Sequence, residues 1–355
     1  MNTTSLCEHC YRHVPATTFE RDGSVWMEKI CPKHGTSEYM IERDAGFYNN
    51  LIYDGNAIIN SGVLIEVTDR CNLKCPHCYH EPENATTDKP IDLIVSQVKS
   101  WPATYQGIIL AGAEPSLRND LGDVIRALKI HCPEAGETTS MLTNGVRLHD
   151  LEFTKDLKDS GLTAVMIGLN HYSYQGKVVH KKQLEGIQNC IEVGINVHYI
   201  GYTLSSLDHI PEVLEEIQIL GNSATQYRIR AGSDIGRNPN EPRYYLSDHV
   251  KAIKEYADNK GWTWEKIPGD DNLYHYMVKI NGITHRLIQW CDAKTIDLEE
   301  LKCGPWCDFV PNKPITNFLH QVILRDAAVN KNIMLYDTVP EKYQLPRTIF
   351  KKENK

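Results

Sequence analysis

From Gly62 onward, short apolar runs alternate with longer stretches of helical spacing. GVLIEVTD (62–69), GIILAG (107–112), TTSMLTN (138–144), TAVMIGLN (163–170), INVHYIGYTL (195–204) and TQYRIRA (225–231) read as strands. Their apolar, β-branched character with little alternation marks strands covered on both faces. Between them, IDLIVSQVKSW (91–101) and segments near 118–131, 150–159, 180–193 and 207–220 carry helical spacing. Six strand–helix alternations predict an α/β fold with a parallel sheet and crossover helices. In such sheets ligand sites lie at the C-terminal ends of the strands. TDRCNLKC, AGAEP, TNG and GLNHY fall there.

The flanks differ. Residues 1–45 hold few apolar runs, and a segment this small does not stabilise itself by burial, so a bound metal is expected to supply the missing free energy. After about residue 235, RNPNEPR reads as a linker and LSDHVKAIKEYADNKG (246–261) as a helix ended by glycine. YHYMVKI and ITHRLIQW flank Asn281-Gly282, a hairpin signal, and a last helix is expected near 315–330. The expected organisation is a metal-binding knuckle (1–45), an α/β core (62–235) and a C-terminal α+β extension (236–355).

Composition narrows the function classes. The chain has 355 residues, 41% hydrophobic and 24% charged, which suits a globular protein rather than a disordered one. A formal net charge of −8 argues against nucleic acid as the default partner. There is no apolar run long enough to span a membrane, and MNTTSLCEHC lacks the basic and apolar regions of a secretory signal; a cytoplasmic location is expected. Eleven cysteines in a reducing compartment point to metal rather than disulfides. They group as Cys7, Cys10 and Cys31; Cys71, Cys75 and Cys78; and Cys291, Cys303 and Cys307, with Cys132 and Cys190 isolated in predicted helices and read as core residues.

Cys71-Asn-Leu-Lys-Cys75-Pro-His-Cys78-Tyr79 directly follows the first strand. Three thiolates can hold three irons of a cubane cluster and leave the fourth iron open to a ligand. A zinc site completed by His77 or His80 is the competing reading of the same thiols. The C-x3-C-x2-C spacing, the aromatic Tyr79 and the strand before it resemble the radical S-adenosylmethionine (SAM) superfamily over roughly Val63–Ala231. Gly112-Ala113-Glu114-Pro115 resembles that family's GGEP motif, with Ala113 at the second glycine, and Thr143-Asn144-Gly145 resembles its TNG segment. The resemblance implies a partial (β/α)6 TIM-like barrel and a [4Fe–4S] cluster on Cys71, Cys75 and Cys78. It implies SAM contacts from Gly112, Ala113, Glu114, Pro115, Asn144 and Tyr79, and from Asn170 and Arg230 at later strand ends. It further implies reductive cleavage of SAM to a 5′-deoxyadenosyl radical that takes hydrogen from an unactivated carbon. A one-electron donor such as flavodoxin or ferredoxin is then required.

Cys7-x2-Cys10 and Cys31-x2-His34 give two paired ligand turns suited to tetrahedral zinc, with a single iron as the alternative. The run Cys31-Pro-Lys-His-Gly resembles the N-terminal knuckle of radical SAM proteins akin to the tetraether lipid synthases and their methyltransferase-like relatives. That similarity points to C–C bond formation or methylation of a small molecule, lipid or peptide. Cys291, Cys303 and Cys307 are candidates for an auxiliary iron–sulfur cluster. Two other classes compete: a non-catalytic iron–sulfur electron carrier or redox sensor, and a zinc-dependent binding module. Neither accounts for the GAEP and TNG segments beside the cysteine loop.

Overall fold

A computed structural model describes residues 1–10, 13–51, 62–76, 78, 88–99, 107–133, 138–231, 244–268, 275–289 and 294–295. The N-terminal segment is a four-stranded antiparallel meander, β1 (Asn2–Leu6), β2 (His13–Arg21), β3 (Ser24–Cys31) and β4 (Gly35–Glu42), in sequence order. Its strands alternate: Val25, Met27, Lys29 and Cys31 of β3 turn inward. Asp22 and Gly23, both at positive φ, form the tight β2–β3 turn. Reading residues 1–45 only as a knuckle missed this sheet, because one-sided burial breaks the apolar runs with polar residues. Lys29, 1% exposed, disguises a core position; its ammonium donates to Leu6 O at 2.9 Å and pairs with Glu8 at 2.8 Å.

A short helix α1 (Ala45–Asn49), capped by Asp44, leads toward β5 (Gly62–Thr68). Then α2 (Ile91–Lys99), β6 (Gly107–Gly112), α3 (Leu121–His131), β7 (Thr139–Thr143), α4 (Leu151–Ser160), β8 (Leu162–Gly168), α5 (Lys177–Glu192), β9 (Asn196–Leu204), α6 (Ile210–Leu220) and β10 (Gln226–Ala231) follow. Strands β5 to β10 are parallel and adjacent in sequence order. Caps explain where helices begin and stop: Asp150 accepts from the Glu152 and Phe153 N–H groups to start α4, and Gly161, at φ +108°, ends it. Ile108, Leu110, Val165 and Ile167 of the strands pack with Ile94, Val124, Leu157 and Leu214 of the helices in one core cluster.

The chain continues with α7 (Leu246–Asn259), β11 (Trp264–Lys266), β12 (His275–Ile280) and β13 (Ile283–Ile288). The hairpin expected around Asn281-Gly282 forms, and β13 pairs in parallel with β10, placing Arg286 opposite Arg228. Among the described residues the extension therefore enlarges the core sheet to nine strands, in the order β11-β12-β13-β10-β9-β8-β7-β6-β5. With β5 and β11 at opposite edges, the sheet is open rather than a closed barrel.

The meander docks against the start of α7 and the residue that follows β13. Glu42, fully buried, accepts from the Ser247 backbone N–H at 3.2 Å and from the Ser247 hydroxyl. Gln289 accepts from Leu246 N at 2.7 Å and donates to Ile41 O at 3.5 Å. Burial pushes the Glu42 carboxyl upward, against the pull of these donors.

Candidate functional site

Two turns of the meander bring Cys7, Cys10, Cys31 and His34 together, with one ligand atom from each inside a group no wider than 4.8 Å. His34 Nδ1 lies 3.3 Å from Cys7 Sγ and 3.5 Å from Cys31 Sγ. Tetrahedral zinc with Zn–S bonds of about 2.3 Å sets its sulfurs roughly 3.8 Å apart. Cys10 and Cys31 Sγ are separated by 3.9 Å. The donor set thus fits one zinc ion. Burial pushes the Cys7 thiol up to about 11. Burial works the same way on Cys31, but the Lys33 and His34 N–H groups, with Cys7 and the His34 ring, draw it down to about 6.

The second cysteine group sits on one loop beyond the C-terminal end of β5. Cys71, Cys75 and Cys78 are all partly exposed, and a turn bond from Cys78 N to Cys75 O, 3.1 Å, folds the loop back. N–H groups point at the sulfurs: Leu73 N at 3.4 Å and Asn144 Nδ2 at 4.0 Å from Cys71, and Gln175 Nε2 at 3.0 Å from Cys75. Burial, with Glu114, Cys75 and Cys78 nearby, pushes Cys71 up to about 12. A bare thiol is favoured there, and positive iron is what stabilises its thiolate. Three thiols on one partly exposed loop, two of them facing N–H donors, fit a cluster with one open iron.

The loop is tied to the strand ends beside it. Gly112 comes so near Thr68 that a Cβ there would lie 2.3 Å from Thr68 O, and its φ of +132° suits only glycine. This close approach lets Ala113 N donate to Thr68 O (3.0 Å) and Glu114 N to Arg70 O (2.9 Å), one residue before Cys71. Beneath it, Arg118, 1% exposed, donates to Val67 O at 2.7 Å and Lys89 O at 2.6 Å. Pro115 opens a 3-10 turn (Pro115–Leu117) capped by Glu114.

Glu114 is the hub. Its Oε1 accepts from Ser116 N (3.0 Å), Ser116 Oγ (2.6 Å) and Thr143 Oγ1 (2.6 Å), and its Oε2 from Asn144 N (2.6 Å). Burial drives this carboxyl upward against those donors. Asn144 in turn donates to Asn72 Oδ1 at 2.8 Å, so GAEP, TNG and the cysteine loop form one hydrogen-bonded unit. On the sequence alone Glu114 was expected to contact SAM; most of its acceptor capacity is used within the protein.

The other expected residues lie elsewhere. Asn170, at φ +56°, accepts from Thr203 N at 2.9 Å. Arg230 sits on β10, five strands from β5, with its guanidinium 3.5 Å from the Tyr199 hydroxyl. Tyr79, Cys291, Cys303 and Cys307, and the helix expected near 315–330, lie outside the described residues. Cys132 and Cys190 are buried, as read from sequence. Sequence reasoning missed Asn72, Arg118 and Gln175. No spacing rule links Gln175 to a cysteine one hundred residues away.

Comparison with known proteins agrees with this geometry. The profile of the radical SAM superfamily matches residues 65–217, and that of the HMPTM N-terminal zinc ribbon domain matches residues 1–43. A GTP 3′,8-cyclase from Listeria welshimeri is 32% identical over 322 residues, covering 83% of this chain and 92% of the relative. The chain belongs to the radical SAM superfamily. It is therefore an enzyme that uses a [4Fe–4S] cluster and SAM, and it carries a zinc ribbon at its N-terminus. A 7,8-dihydro-6-hydroxymethylpterin dimethyltransferase from Methanocaldococcus jannaschii is 28% identical over 309 residues, covering 73% of this chain and 59% of the relative. An Fe-coproporphyrin III synthase from Methanosarcina barkeri is 32% identical over 146 residues, 38% of this chain and 35% of the relative. This radical SAM chain thus spans about three fifths and one third of those two relatives. Among the described residues no helix is long and apolar enough to cross a membrane.

Proposed function

We propose that this radical SAM enzyme holds its cluster on Cys71, Cys75 and Cys78 and carries out C–C bond formation or methylation at an unactivated carbon of a small molecule. Bound there, the cluster and SAM together supply a 5′-deoxyadenosyl radical for hydrogen abstraction. The protein's own part is positioning. Glu114 and Asn144 fix the cysteine loop against the ends of β6 and β7. Gly112 and Ala113 present backbone beside it, where SAM's methionine end is expected. Arg230 and Asn170 are proposed to contact SAM from later strand ends. The ribbon, residues 1–45, holds zinc through Cys7, Cys10, Cys31 and His34 in a structural role, since all four positions of the ion are filled by protein. Residues 62–235 form the catalytic core and 236–355 the extension, with a flavodoxin or ferredoxin as the proposed electron donor.

One observation carries the reading: the cysteine loop, GAEP and TNG are joined by the Glu114–Asn144–Asn72 hydrogen bonds at one end of the parallel sheet. Support for the small-molecule branch comes from the relatives, which are named for a pterin and for GTP, both small molecules that contain a fused heterocycle. The test is anaerobic reconstitution followed by reduction with SAM. Wild-type enzyme should form 5′-deoxyadenosine, and the variant with Cys71, Cys75 and Cys78 all changed to Ala should form none. Equal production by both would overturn the assignment.

A further inference from the structure

We infer that Gln175 sets the reduction potential of the cluster through a hydrogen bond to the sulfur of Cys75. The inference rests on the proposed placement of the cluster on Cys71, Cys75 and Cys78. Gln175 Nε2 lies 3.0 Å from Cys75 Sγ, although the two residues are one hundred positions apart. The contact is built from the far side. His171 caps the 3-10 turn Tyr172–Tyr174 by accepting from Ser173 N. The His171 ring is held on both nitrogens, by the Ser173 hydroxyl at 2.7 Å through Nδ1 and by the Glu212 carboxylate through Nε2, and it stacks on His209 at 4.4 Å between centroids. Gly176 N then closes the turn onto Tyr172 O at 2.7 Å, which fixes Gln175 between turn and cluster loop.

The orientation of the amide is informative. Gln175 Oε1 is buried with no hydrogen-bond partner among the described residues, an arrangement that is destabilising by itself. Turning the amide over would place oxygen against a sulfur that must carry negative charge to bind iron. The donor therefore belongs on the sulfur. Reduction adds one electron to an already anionic cluster, so an N–H aimed at a cluster sulfur stabilises the reduced state more and raises the potential. Gln175 acts through Cys75, as a positioning residue rather than a catalytic one.

The experiment is an EPR-monitored redox titration of reconstituted wild-type enzyme and Gln175→Met, with iron and sulfide counted in both. Met conserves shape and removes the donor. At a fixed poise the reduced-to-oxidised ratio should fall about tenfold in the variant, a downward shift of 59 mV for one electron. Full iron and sulfide content with an unmoved potential would refute the inference while leaving the cluster assignment intact. A wild-type enzyme that takes up no cubane iron would overturn both. Should Gln175→Met fail to accept a cluster, wild-type enzyme labelled with 15N in the glutamine side-chain amide decides. Pulsed EPR of its reduced cluster without SAM should show a 15N coupling, and its absence would overturn the inference.

Discussion

The two cysteine sites in the described residues are built by opposite strategies. In the ribbon, ligands about twenty residues apart converge because antiparallel strands carry two turns to the same end, and the four close on one ion. In the core, three ligands share one loop, and the surrounding framework of Arg118, Glu114 and Asn144 is hydrogen-bonded within the protein. At the ribbon's ligands, Cys7, Val14 and Cys31 form a small cluster of their own with Cys10 packed against it, while Leu6, Val25, Met27 and Ile41 are buried elsewhere in the meander. The sheet beneath the cluster loop rests on a continuous apolar core from Ile65 to Leu287. A metal therefore contributes to folding in the first case and to chemistry in the second.

Removing ligands from each site should separate the two. The triple Ala variant at Cys71, Cys75 and Cys78 should lose all SAM cleavage yet keep its zinc and its denaturation midpoint within a few tenths of a molar urea. Loss of the sheet's circular dichroism in that variant would mean the cluster also holds the fold. Cys31→Ala should act in reverse. Structural zinc contributes about 10–16 kcal/mol to the folding of small zinc modules. The variant should then lose zinc and become protease-sensitive within residues 1–45, while cubane iron stays. A protease-resistant ribbon without zinc would erase the contrast.

Acid probes the sheet away from both sites. His249 on α7 and His285 on β13 are buried and held neutral, each brought down to about 4 by burial. An unfolded histidine titrates near 6.5. Between pH 6.5 and 4 the unfolded chain takes up protons that the folded chain refuses, so stability is full above 6.5 and falls toward 4. The loss is on the order of 3 kcal/mol per histidine, because each pH step between those two values costs about 1.4 kcal/mol. Urea denaturation at pH 7 and pH 4.5 should show it, with a flatter dependence in His249→Met. Equal slopes in both proteins would place the acid sensitivity elsewhere.

The smallest effect concerns the framework of the cluster loop. Glu114→Gln sets an amide NH2 against one of the N–H or O–H donors now facing the carboxylate. It should cost about 1.5–3 kcal/mol of core stability. Weakened SAM binding with an unchanged denaturation midpoint would instead show that the carboxylate's main task is the ligand.

Much of this was legible in the sequence, for a physical reason. Strands β5 to β10 are covered on both sides and so stand out as apolar runs, and ligand pairs at two- and three-residue gaps announce metal directly. The ribbon strands were hidden because only alternate residues are buried, and because Lys29 occupies a core position by pairing with Glu8. That pair holds Glu8 down to about 2, although burial alone would raise it. Breaking such a buried pair typically costs about 3–5 kcal/mol. The Asn281-Gly282 turn marked a hairpin, but nothing in it specified that β13 would lie parallel beside β10. Gln175 left no trace, since its meeting with Cys75 depends on turn geometry fixed by residues from two other elements.

The Glu42–Ser247 bond spans 205 positions and the Gln289–Ile41 bond 248. During synthesis, when a ribosome adds about 5–20 residues per second, the ribbon emerges complete roughly ten to fifty seconds before its docking partners exist. It can take up zinc and close at once, yet its place on the molecule is settled only after α7 and β13 have formed. A part made well before its partners is thus seated only after them, and a chain stalled before α7 would carry the ribbon as a loose, metal-loaded tether.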